Sequence, residues 1–516
     1  MSAQPPAVGR ASLGAAALAG IAAGAAALGV AELLAGILPG AASPIIAIGD
    51  LVISLQPPGA KQFVVDLFGT ADKLVLNLLI AAVAIAGAAG IGVLERSRPG
   101  WATYAFGAAG LLALGAGLRD PLSEPITTFL VAVAAVVTAV VVLRWLLRLA
   151  TPPPAEAEMP DWSRRRFLGG SIAVIGVAAA SGLVGRVLLD RGRLTASTVG
   201  AEIPAAGATA APLPSGSSLD VEGITPLVVP NTDFYRIDTA LLVPRPDVES
   251  WRLRLTGLAD APFELTYDEL LATPLIEQYV TIACVSNEVG GDLVGNALWR
   301  GVRLKELLDR AQIRPEATQI VGRSVDGFTV GFPTAHAIAE DREPMVAVAM
   351  NGEPLPANHG FPARLIVPGL YGYVSATKWL TEIELTTWEA FDAYWVPLGW
   401  SKTGPILTQS RIDTPRNGSS LGAGTVPVAG VAWAPDRGIE AVEIRVDGGS
   451  WQPAETSSPI SDATWVQFVY PWEARPGDHT IEVRATDGTG EVQTTERTRP
   501  APDGARGHHT IQVSVG

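Results

Sequence analysis

Residues 281–304 read TIACVSNEVGGDLVGNALWRGVRL, and this stretch decides how the rest of the chain is interpreted. It carries Cys284, the only cysteine among 516 residues. A lone cysteine is usually a small buried hydrophobic side chain, but this one stands between an apolar run and the polar, glycine-bearing residues 285–291. A thiolate at a strand end is a soft metal ligand. The neighbouring sequence has no histidine or carboxylate set to complete a protein-only site, so a metal here would have to arrive within a cofactor.

Four segments, in order along the chain, resemble the sulfite oxidase family of molybdopterin-dependent oxidoreductases. The Cys284 segment is similar to the one whose cysteine binds molybdenum in that family. The other segments are 231–236 (NTDFYR), 350–355 (MNGEPL) leading into 359–368 (HGFPARLIVP), and 371–379, with Tyr371-Gly372 and Lys378-Trp379. Together with a β-rich tail similar to the immunoglobulin-like dimerisation domain of the family, the resemblance covers residues 220–516.

This resemblance implies a molybdenum held by a pterin dithiolene, by oxo or hydroxo groups and by the Cys284 thiolate. Arg364 and Lys378 suit the anionic phosphate tail of the pterin, because charge-assisted hydrogen bonds are the strong ones. Ser324 is matched only by its distance beyond Cys284. The implied cofactor-binding residues are Asn231, Phe234, Tyr235, Cys284, Ser324, His359, Arg364, Ser375, Ala376, Thr377 and Lys378.

The chain departs from the sulfite-oxidising members of the family at two places. Phe328 stands in a segment that we match to one carrying a tyrosine near the metal, and Arg236-Ile237-Asp238 replaces an Arg-Asn-His run. The candidates for substrate-binding or catalytic arginines are Arg236 and Arg300, with Arg303 as a further one. Two directions of two-electron chemistry therefore stay open: oxidation of a small oxyanion such as sulfite, and reduction of an S- or N-oxide, as in the protein methionine sulfoxide reductase branch. A cofactor-free, membrane-anchored binding protein is the alternative from a different class.

The N-terminal part of the chain has the composition of a membrane domain. A span needs about 20 mostly apolar residues, and five such runs lie near residues 11–38, 74–94, 101–118, 126–147 and 167–189. Glu32 and Arg186 are the charges inside them. Residues 43–68, with Pro57, Pro58, Lys61 and Asp66, are interpreted as an interfacial or re-entrant connection.

The positive-inside rule predicts the orientation of these spans. With the N-terminus inside, the outer loops hold only Lys61, Lys73 and Arg119, and the inner segments hold Arg10, Arg96, Arg98, Arg144, Arg148, Arg164, Arg165 and Arg166. Five spans from an inside N-terminus place residues 191–516 outside the cytoplasm. Residues 163–169 (SRRRFLG), before the last apolar run, also match a twin-arginine export signal. The same arginines would equally serve as a positive-inside anchor.

Beyond the apolar half, the sequence predicts a mobile linker over residues 191–218 and an α+β domain over 219–398. A strand is expected at 251–258, helices at 267–271 and 304–311, and a short β-rich run at 364–367. The region 399–516 changes to short strands separated by Gly-rich turns, the pattern of an antiparallel sandwich. The domain order is therefore anchor (1–190), linker, cofactor domain and immunoglobulin-like domain.

Charge and metal-ligand content limit the partners. Residues 191–516 carry 25 Lys/Arg against 40 Asp/Glu, whereas residues 1–190 carry 12 against 11. An acidic globular half argues against nucleic acid, which requires a basic face. The five histidines all lie at or beyond His336, and no methionine falls in a predicted span. We therefore expect no haem in the bilayer, a separate quinone-linked or cytochrome electron partner, and a homodimer through the tail.

Overall fold

The structure, a computed structural model, describes residues 11–57, 64, 67–68, 72–151, 162–195 and 202–516. The chain divides into two compact units. One comprises Met1–Ala196 with Ala240–Val243, and the other comprises Ser197–Thr239 with Pro244–Gly516. Lys61, Asp66 and Arg10, which entered the predicted topology, lie outside the described residues.

The first unit is a helical bundle whose helices meet through small residues. A Cβ atom at Gly20 would lie 2.1 Å from the Ala88 carbonyl oxygen, and one at Gly185 would lie 2.3 Å from the Glu32 carbonyl oxygen. Such residues allow backbones to approach closely in lipid. The described helices are α1 (Leu13–Ile37), α2 (Pro44–Leu55), α3 (Asp72–Ser97), α4 (Trp101–Gly117), α5 (Pro125–Ala150) and α6 (Trp162–Thr195).

All five predicted spans coincide with helices, but the helices differ in length. Four segments are long and apolar enough to cross a membrane: Leu13–Ile37, Lys73–Ser97, Pro125–Ala150 and Arg164–Leu189. The predicted run at 101–118 forms α4, which has 17 residues, near the lower limit for a span. α2 occupies part of the stretch interpreted as an interfacial connection. Four long apolar helices are compatible with membrane anchoring, and the number of spans stays a prediction.

Two ion pairs connect helices inside this bundle. Arg186 on α6 lies 3.7 Å from the Glu32 carboxylate on α1, and Glu32 also accepts a hydrogen bond of 2.5 Å from the Ser43 hydroxyl. Arg144 on α5 lies 3.3 Å from Glu95 on α3. Both carboxylates are buried, so each buried negative charge has a cation beside it.

The cofactor domain predicted from the sequence has the expected α+β fold, with two sheets around one hydrophobic core. The first sheet has the order β2-β1-β10-β5-β6, and the second has the order β3-β4-β7-β8 with β9 paired to β7. Its strands are β1 (Arg252–Gly257), β2 (Phe263–Thr266), β3 (Leu275–Ala283), β4 (Val294–Arg303), β5 (Gln319–Ser324), β6 (Thr329–Pro333), β7 (Met345–Met350), β8 (Glu353–Pro354), β9 (Arg364–Ile366) and β10 (Leu380–Thr386). Its helices are α7 (Tyr267–Ala272), α8 (Leu304–Ala311), α9 (Thr334–Ile338) and α10 (Gly372–Ser375), with a 3-10 turn at Ala357–His359.

The second half of the segment predicted as a mobile linker is hydrogen-bonded to neighbouring strands. Gly207 donates a backbone hydrogen bond to Leu275 O (2.9 Å), and Glu277 donates one to Ala208 O (2.9 Å). Ser458 of the C-terminal domain donates its backbone N–H to Gly216 O (3.0 Å) and its hydroxyl to Ser215 O (2.9 Å). These bonds attach the segment to β3 and to the C-terminal domain, because the edge of β3 offers backbone groups that need partners.

The C-terminal region is the immunoglobulin-like β-sandwich expected from its turn spacing. One sheet has the order β11-β13-β17-β16 and the other β12-β19-β18-β14-β15, with an apolar core between them. The strands are β11 (Gln409–Thr414), β12 (Ser420–Leu421), β13 (Gly424–Trp433), β14 (Ile439–Val446), β15 (Gln452–Pro453), β16 (Glu455–Thr456), β17 (Val466–Ala474), β18 (Gly477–Asp487) and β19 (His509–Val515).

Candidate active site

The candidate site begins where β3 ends, at the loop of residues 284–293, which we call the cysteine loop. The Cys284 backbone donates to Leu293 O (2.9 Å), and Leu293 N donates back to the Asn287 side-chain oxygen (2.9 Å). The Cys284 Sγ atom lies 2.9 Å from the Ser286 hydroxyl, and Cys284 is half-buried. These bonds fix the thiol at the end of the strand, as a metal ligand requires.

Aromatic side chains form one wall beside this loop. The ring of Phe234 stacks on that of Tyr235, with 5.3 Å between the ring centres. It meets the rings of Trp299 and His359 edge-on, with 5.9 and 5.7 Å between the centres. Burial, with the neighbouring Cys284 thiolate, raises the pKa of Tyr235. Tyr235 is therefore a neutral hydroxyl group at physiological pH. Phe234, Trp299 and His359 are buried, and the wall includes three of the predicted pterin contacts, Phe234, Tyr235 and His359.

Arg364 is buried behind the aromatic wall. Its NH1 atom donates to His359 O (2.9 Å), and its guanidinium lies 5.0 Å from the centre of the Trp299 ring. Burial lowers the pKa of Arg364 to about 10. Among the described residues no carboxylate lies within ion-pair distance of Arg364, and its Nε atom is buried without a hydrogen-bond partner. A buried cation with spare donors is costly unless an anion joins it.

Lys378 is a second buried cation beside Arg364. A Cβ atom at Gly360, whose φ is +113°, would lie 3.0 Å from Lys378 Cα and 3.1 Å from Arg364 Cβ, so the glycine permits this close approach. Lys378 Nζ lies 3.1 Å from Asp238, which also pairs with Arg236 at 2.8 Å. Burial lowers the pKa of Lys378 to about 8, against the opposing effect of Asp238. Lys378 and Arg236 thus share one carboxylate, and Arg364 beside them has none.

His359 adds an acceptor to this cluster. Its Nε2 atom lies 2.9 Å from the Asn231 carbonyl oxygen, which requires Nε2 to carry the proton. Burial, together with Arg364, lowers the pKa of His359 to about 4, so the ring is neutral at pH 7. Its Nδ1 atom then has a buried lone pair with no partner among the described residues. Asn231 is bound in turn by the Asn351 side chain (2.9 Å).

These groups fit a pterin with a phosphate tail. Arg364 Nε, the Thr377 hydroxyl and His359 Nδ1 are all buried polar atoms without partners in the described chain. The Thr377 hydroxyl lies on the side of Gly322 and Leu365, because a Cβ atom at Gly322 would be 2.4 Å from it and 2.7 Å from Leu365 Cδ1, whereas Arg364 alternates to the other face of the strand. The Arg364 donor suits phosphate oxygens, and the lone pair of His359 suits a ring N–H. Buried polar groups are normally satisfied, so the cluster is built for an anionic, hydrogen-bonding ligand.

Three other predicted cofactor contacts are bound within the chain. The Ser375 hydroxyl donates to Leu370 O (3.2 Å) and Tyr371 O (3.0 Å), and Ala376 N donates to Gly372 O (2.9 Å). Ser324, at the end of β5, is buried and donates its backbone N–H to Phe328 O (2.9 Å). Phe328 itself packs on Tyr394 at 5.5 Å. These contacts stabilise the loops around the cluster.

The structure does not bring Arg300 or Arg303 to Cys284. Arg300 forms an ion pair with Glu277, its cross-strand neighbour, at 2.7 Å. Glu277 lies seven residues before Cys284 on β3, roughly 23 Å away at the rise of a strand. Arg300 also points away from the face that Trp299 shares with Arg364, because successive side chains alternate. Arg303 lies one residue beyond β4's pairing with β3 and pairs with Glu343 at 3.0 Å.

Tyr371, near the thiol, and Arg506, near Tyr371, were not among the predicted site residues. A Cβ atom added at Gly372 would lie 3.8 Å from the Ala283 carbonyl oxygen. Tyr371, the residue before Gly372, therefore lies close to Cys284, the residue after Ala283. Burial raises the pKa of Tyr371 to about 12, and the thiolate adds to this effect. Arg506 forms an ion pair with Asp503 at 2.9 Å. Its positive charge opposes the rise in the pKa of Tyr371. Tyr371 stood in a segment already singled out, whereas Arg506 carries no local sequence signal.

Comparison with known families agrees with this division of the chain. A family model described as the oxidoreductase molybdopterin binding domain matches residues 240–395, and one described as a bacterial Ig domain matches residues 409–513. The first match covers the cysteine loop, Trp299, His359, Arg364 and Lys378, and it begins after Phe234, Tyr235 and Arg236.

Individual proteins are similar over the same region. The chain is 34% identical over 173 residues to an uncharacterized oxidoreductase, YuiH, of Bacillus subtilis, covering 34% of this chain and 83% of that protein. It is 28% identical over 314 residues to mitochondrial sulfite oxidase of Homo sapiens, covering 52% of this chain and 57% of that protein. The chain spans about half the length of the mitochondrial sulfite oxidases that it matches.

Among solved structures, the sulfane dehydrogenase SoxCD of Paracoccus pantotrophus superposes with a TM-score of 0.50 and 22% identity. The match covers 57% of this chain and 82% of that chain. At this identity the likeness concerns the fold.

Proposed function

We propose, because the chain belongs to the sulfite oxidase family of molybdopterin-dependent oxidoreductases, that it is a membrane-anchored enzyme acting outside the cytoplasm. Its reaction is a two-electron oxygen-atom transfer on a small oxyanion or on an S- or N-oxide. The observation that carries the proposal is the cluster of Arg364, Lys378 and His359, in which Arg364 Nε and His359 Nδ1 are buried without partners among the described residues. Tyr235 links this cluster to the thiol, because its pKa responds to both Cys284 and Arg364.

Each residue of the site has a role in holding the cofactor. Cys284 would bind the molybdenum, Arg364 and Lys378 would bind the phosphate tail, and His359 would orient the pterin ring. When bound, this cofactor supplies the exchange of two electrons together with an oxygen atom. Phe234 and Trp299 keep water away from the phosphate-binding cations, which strengthens their interaction with an anion.

The substrate side is proposed at Tyr371 and Arg506. A neutral Tyr371, whose pKa is about 12, can donate a hydrogen bond to an oxygen atom of the substrate. Arg506 adds positive charge there, and Asp503 partly neutralises it. A strongly charged dianion such as sulfite gains less from such a pair than from an isolated arginine. This observation favours a neutral S- or N-oxide as the second candidate substrate.

The direction of the reaction decides between the two candidates. Purified protein would be supplied with sulfite and an electron-accepting dye, and separately with methyl sulfoxides and reduced viologen. Turnover in the first assay alone supports the oxidase, and turnover in the second alone supports the reductase. Protein without molybdenum by elemental analysis, and inactive in both assays, would contradict the proposed function and support a binding protein.

Delivery of the globular half and its partners form a separate part of the proposal. An inside N-terminus with five spans would place the catalytic domain outside, where protease added to intact cells should reach it. Arg164→Lys with Arg165→Lys keeps the positive charge and should impair export only if a receptor reads arginine. Electrons would pass to or from a separate quinone-linked or cytochrome protein. A dimer through the C-terminal domain would be detected by light scattering in detergent.

A further inference from the structure

The cysteine loop is held in place by the C-terminal domain as well as by its own strands. β11 and β19 of the sandwich both contact residues 290–291, at the outer side of the loop. These residues lie in one compact unit of the chain. The immunoglobulin-like domain therefore contacts the segment that carries the metal-binding thiol.

Arg411 on β11 makes the central contact. Its NH1 atom donates to Gly291 O (2.8 Å), its NH2 atom donates to the Thr225 hydroxyl (2.8 Å), and its Nε atom donates to Asp413 (2.6 Å). Asp413 also accepts a bond of 2.9 Å from Thr225 N. Arg411 is only 7% exposed. One planar guanidinium thus joins three parts of the chain, which Lys could not do with the same geometry.

His509 supports the loop from β19. A Cβ atom at Gly290 would lie 2.2 Å from the His509 ring, and the φ of Gly290 is +80°, so this position requires glycine on both counts. His509 Nδ1 accepts a hydrogen bond of 3.0 Å from Ile412 N, which fixes the ring next to Arg411. The loop can therefore move outward only if β11 or β19 moves too.

We propose that Arg411 is a positioning residue that holds the cysteine loop so that the Cys284 thiolate meets the metal in one geometry. The C-terminal domain is then part of the catalytic unit in addition to any role in dimerisation. The link to the metal rests on the proposed function, but the restraint on the thiol itself does not.

The single cysteine provides a direct measurement of this restraint. In cofactor-free, full-length protein in detergent, the rate of Cys284 modification by N-ethylmaleimide reports how often the loop opens. Arg411→Met keeps the length of the side chain and removes all donors, and it should increase this rate about tenfold. Arg411→Lys can still donate to Gly291 O, so its modification rate should lie between those of the wild type and Arg411→Met.

The matched control is another arginine of the same domain. Arg484 pairs with Glu443 at 2.7 Å and stacks on Trp451 at 4.4 Å, away from the cysteine loop. Arg484→Met should leave the modification rate within about twofold even where its thermal stability falls. Equal rate increases in both variants would mean that Arg411 has only a general structural role, and this would overturn the proposal.

A second readout uses the loaded enzyme. Arg411→Met should lower kcat about tenfold with KM within about twofold, and it should shift the Mo(V) paramagnetic resonance spectrum, whereas Arg484→Met should not. If Arg411→Met does not fold, Thr225→Val is the deciding variant, because it removes one of the three contacts of Arg411. It should increase the rate of Cys284 modification twofold to threefold. An unchanged rate in Thr225→Val would then overturn the proposal. If Arg411→Met increases the rate of Cys284 modification but the wild-type protein never binds molybdenum, the proposed function is refuted and the restraint on the thiol still holds.

Discussion

In the described residues of the helical bundle, each of the two buried carboxylates faces an arginine of another helix. Glu32 faces Arg186 at 3.7 Å, and Glu95 faces Arg144 at 3.3 Å. In the globular site, by contrast, Lys378 and Arg236 share the carboxylate of Asp238, and Arg364 makes no ion pair within the described residues.

The difference separates charges that serve the fold from charges that await a ligand. Removing one partner of a buried pair leaves an uncompensated charge, which costs about 3–5 kcal/mol. Removing a buried cation that has no partner relieves a cost instead. The same substitution type should therefore have opposite effects on stability in the two regions.

The largest effect is expected at Cys284, because it concerns the metal directly. Cys284→Ser should lower turnover at least about a thousandfold, which corresponds to roughly 4 kcal/mol of transition-state stabilisation. The serine oxygen is a harder ligand than the thiolate, whereas the fold should lose only about 1–2 kcal/mol. Near-normal turnover by the variant would contradict the assignment of the site.

Two arginine-to-methionine variants, one in each region, test whether the buried charges differ in their effect on stability. Arg186→Met should lower the free energy of unfolding by roughly 3–5 kcal/mol, because Glu32 is left buried and unpaired. Arg364→Met should leave the stability of cofactor-free protein unchanged or raise it, while abolishing retention of molybdopterin. Denaturant titration in detergent and pterin analysis measure both. Equal destabilisation by the two substitutions would remove the distinction between the regions.

The matched control for this pair is Glu32→Gln combined with Arg186→Met. Both charges are then absent, so the double variant should recover at least half of the stability that Arg186→Met loses. No recovery would mean that Arg186 acts through packing alone.

The free energy of unfolding should depend on pH through His359. Its pKa is about 4 in the folded chain and about 6.5 unfolded, so the unfolded state binds more protons between these values. Stability should fall as the pH decreases from 6.5 towards 4, by about 1–2 kcal/mol at pH 5. His359→Gln should flatten this part of the profile. His509, whose pKa is also about 4, contributes to the same window, so His359→Gln with His509→Gln is the fuller test.

The smallest expected effect is the stabilisation of cofactor-free protein by inorganic phosphate. If the cluster binds phosphate with a dissociation constant of about 1 mM, 10 mM phosphate should stabilise the fold by about 1.4 kcal/mol. Chloride at the same ionic strength should not. Arg364→Met should lose the response, and a response that survives in this variant would place the anion elsewhere.

Local patterns predicted most of the architecture. The apolar run ending at Cys284 became β3, and the short strands expected over 399–516 became the sandwich, because apolar runs bounded by turn residues identify buried strands. β11 was missed, since Gln409, Ser410 and Arg411 read as polar although all three are buried. α2 was missed because the prolines after it suggested a broken segment.

The candidate site was predictable only where it is local in sequence. Arg364, His359 and Lys378 lie within segments that resemble a known family, and the structure brings them together. Arg300 was a plausible anion ligand by charge, but strand alternation directs it to Glu277. Arg506 and Arg411 act across more than a hundred residues from Cys284, and no local pattern encodes such contacts.

X-ray absorption at the molybdenum edge of purified, loaded protein tests whether Cys284 binds the metal. Molybdenum in the wild-type enzyme should have one more sulfur neighbour than in Cys284→Ser, because the pterin dithiolene supplies the same sulfurs in both. An equal number of sulfur neighbours in the two proteins, or no molybdenum in the wild type, would contradict this assignment.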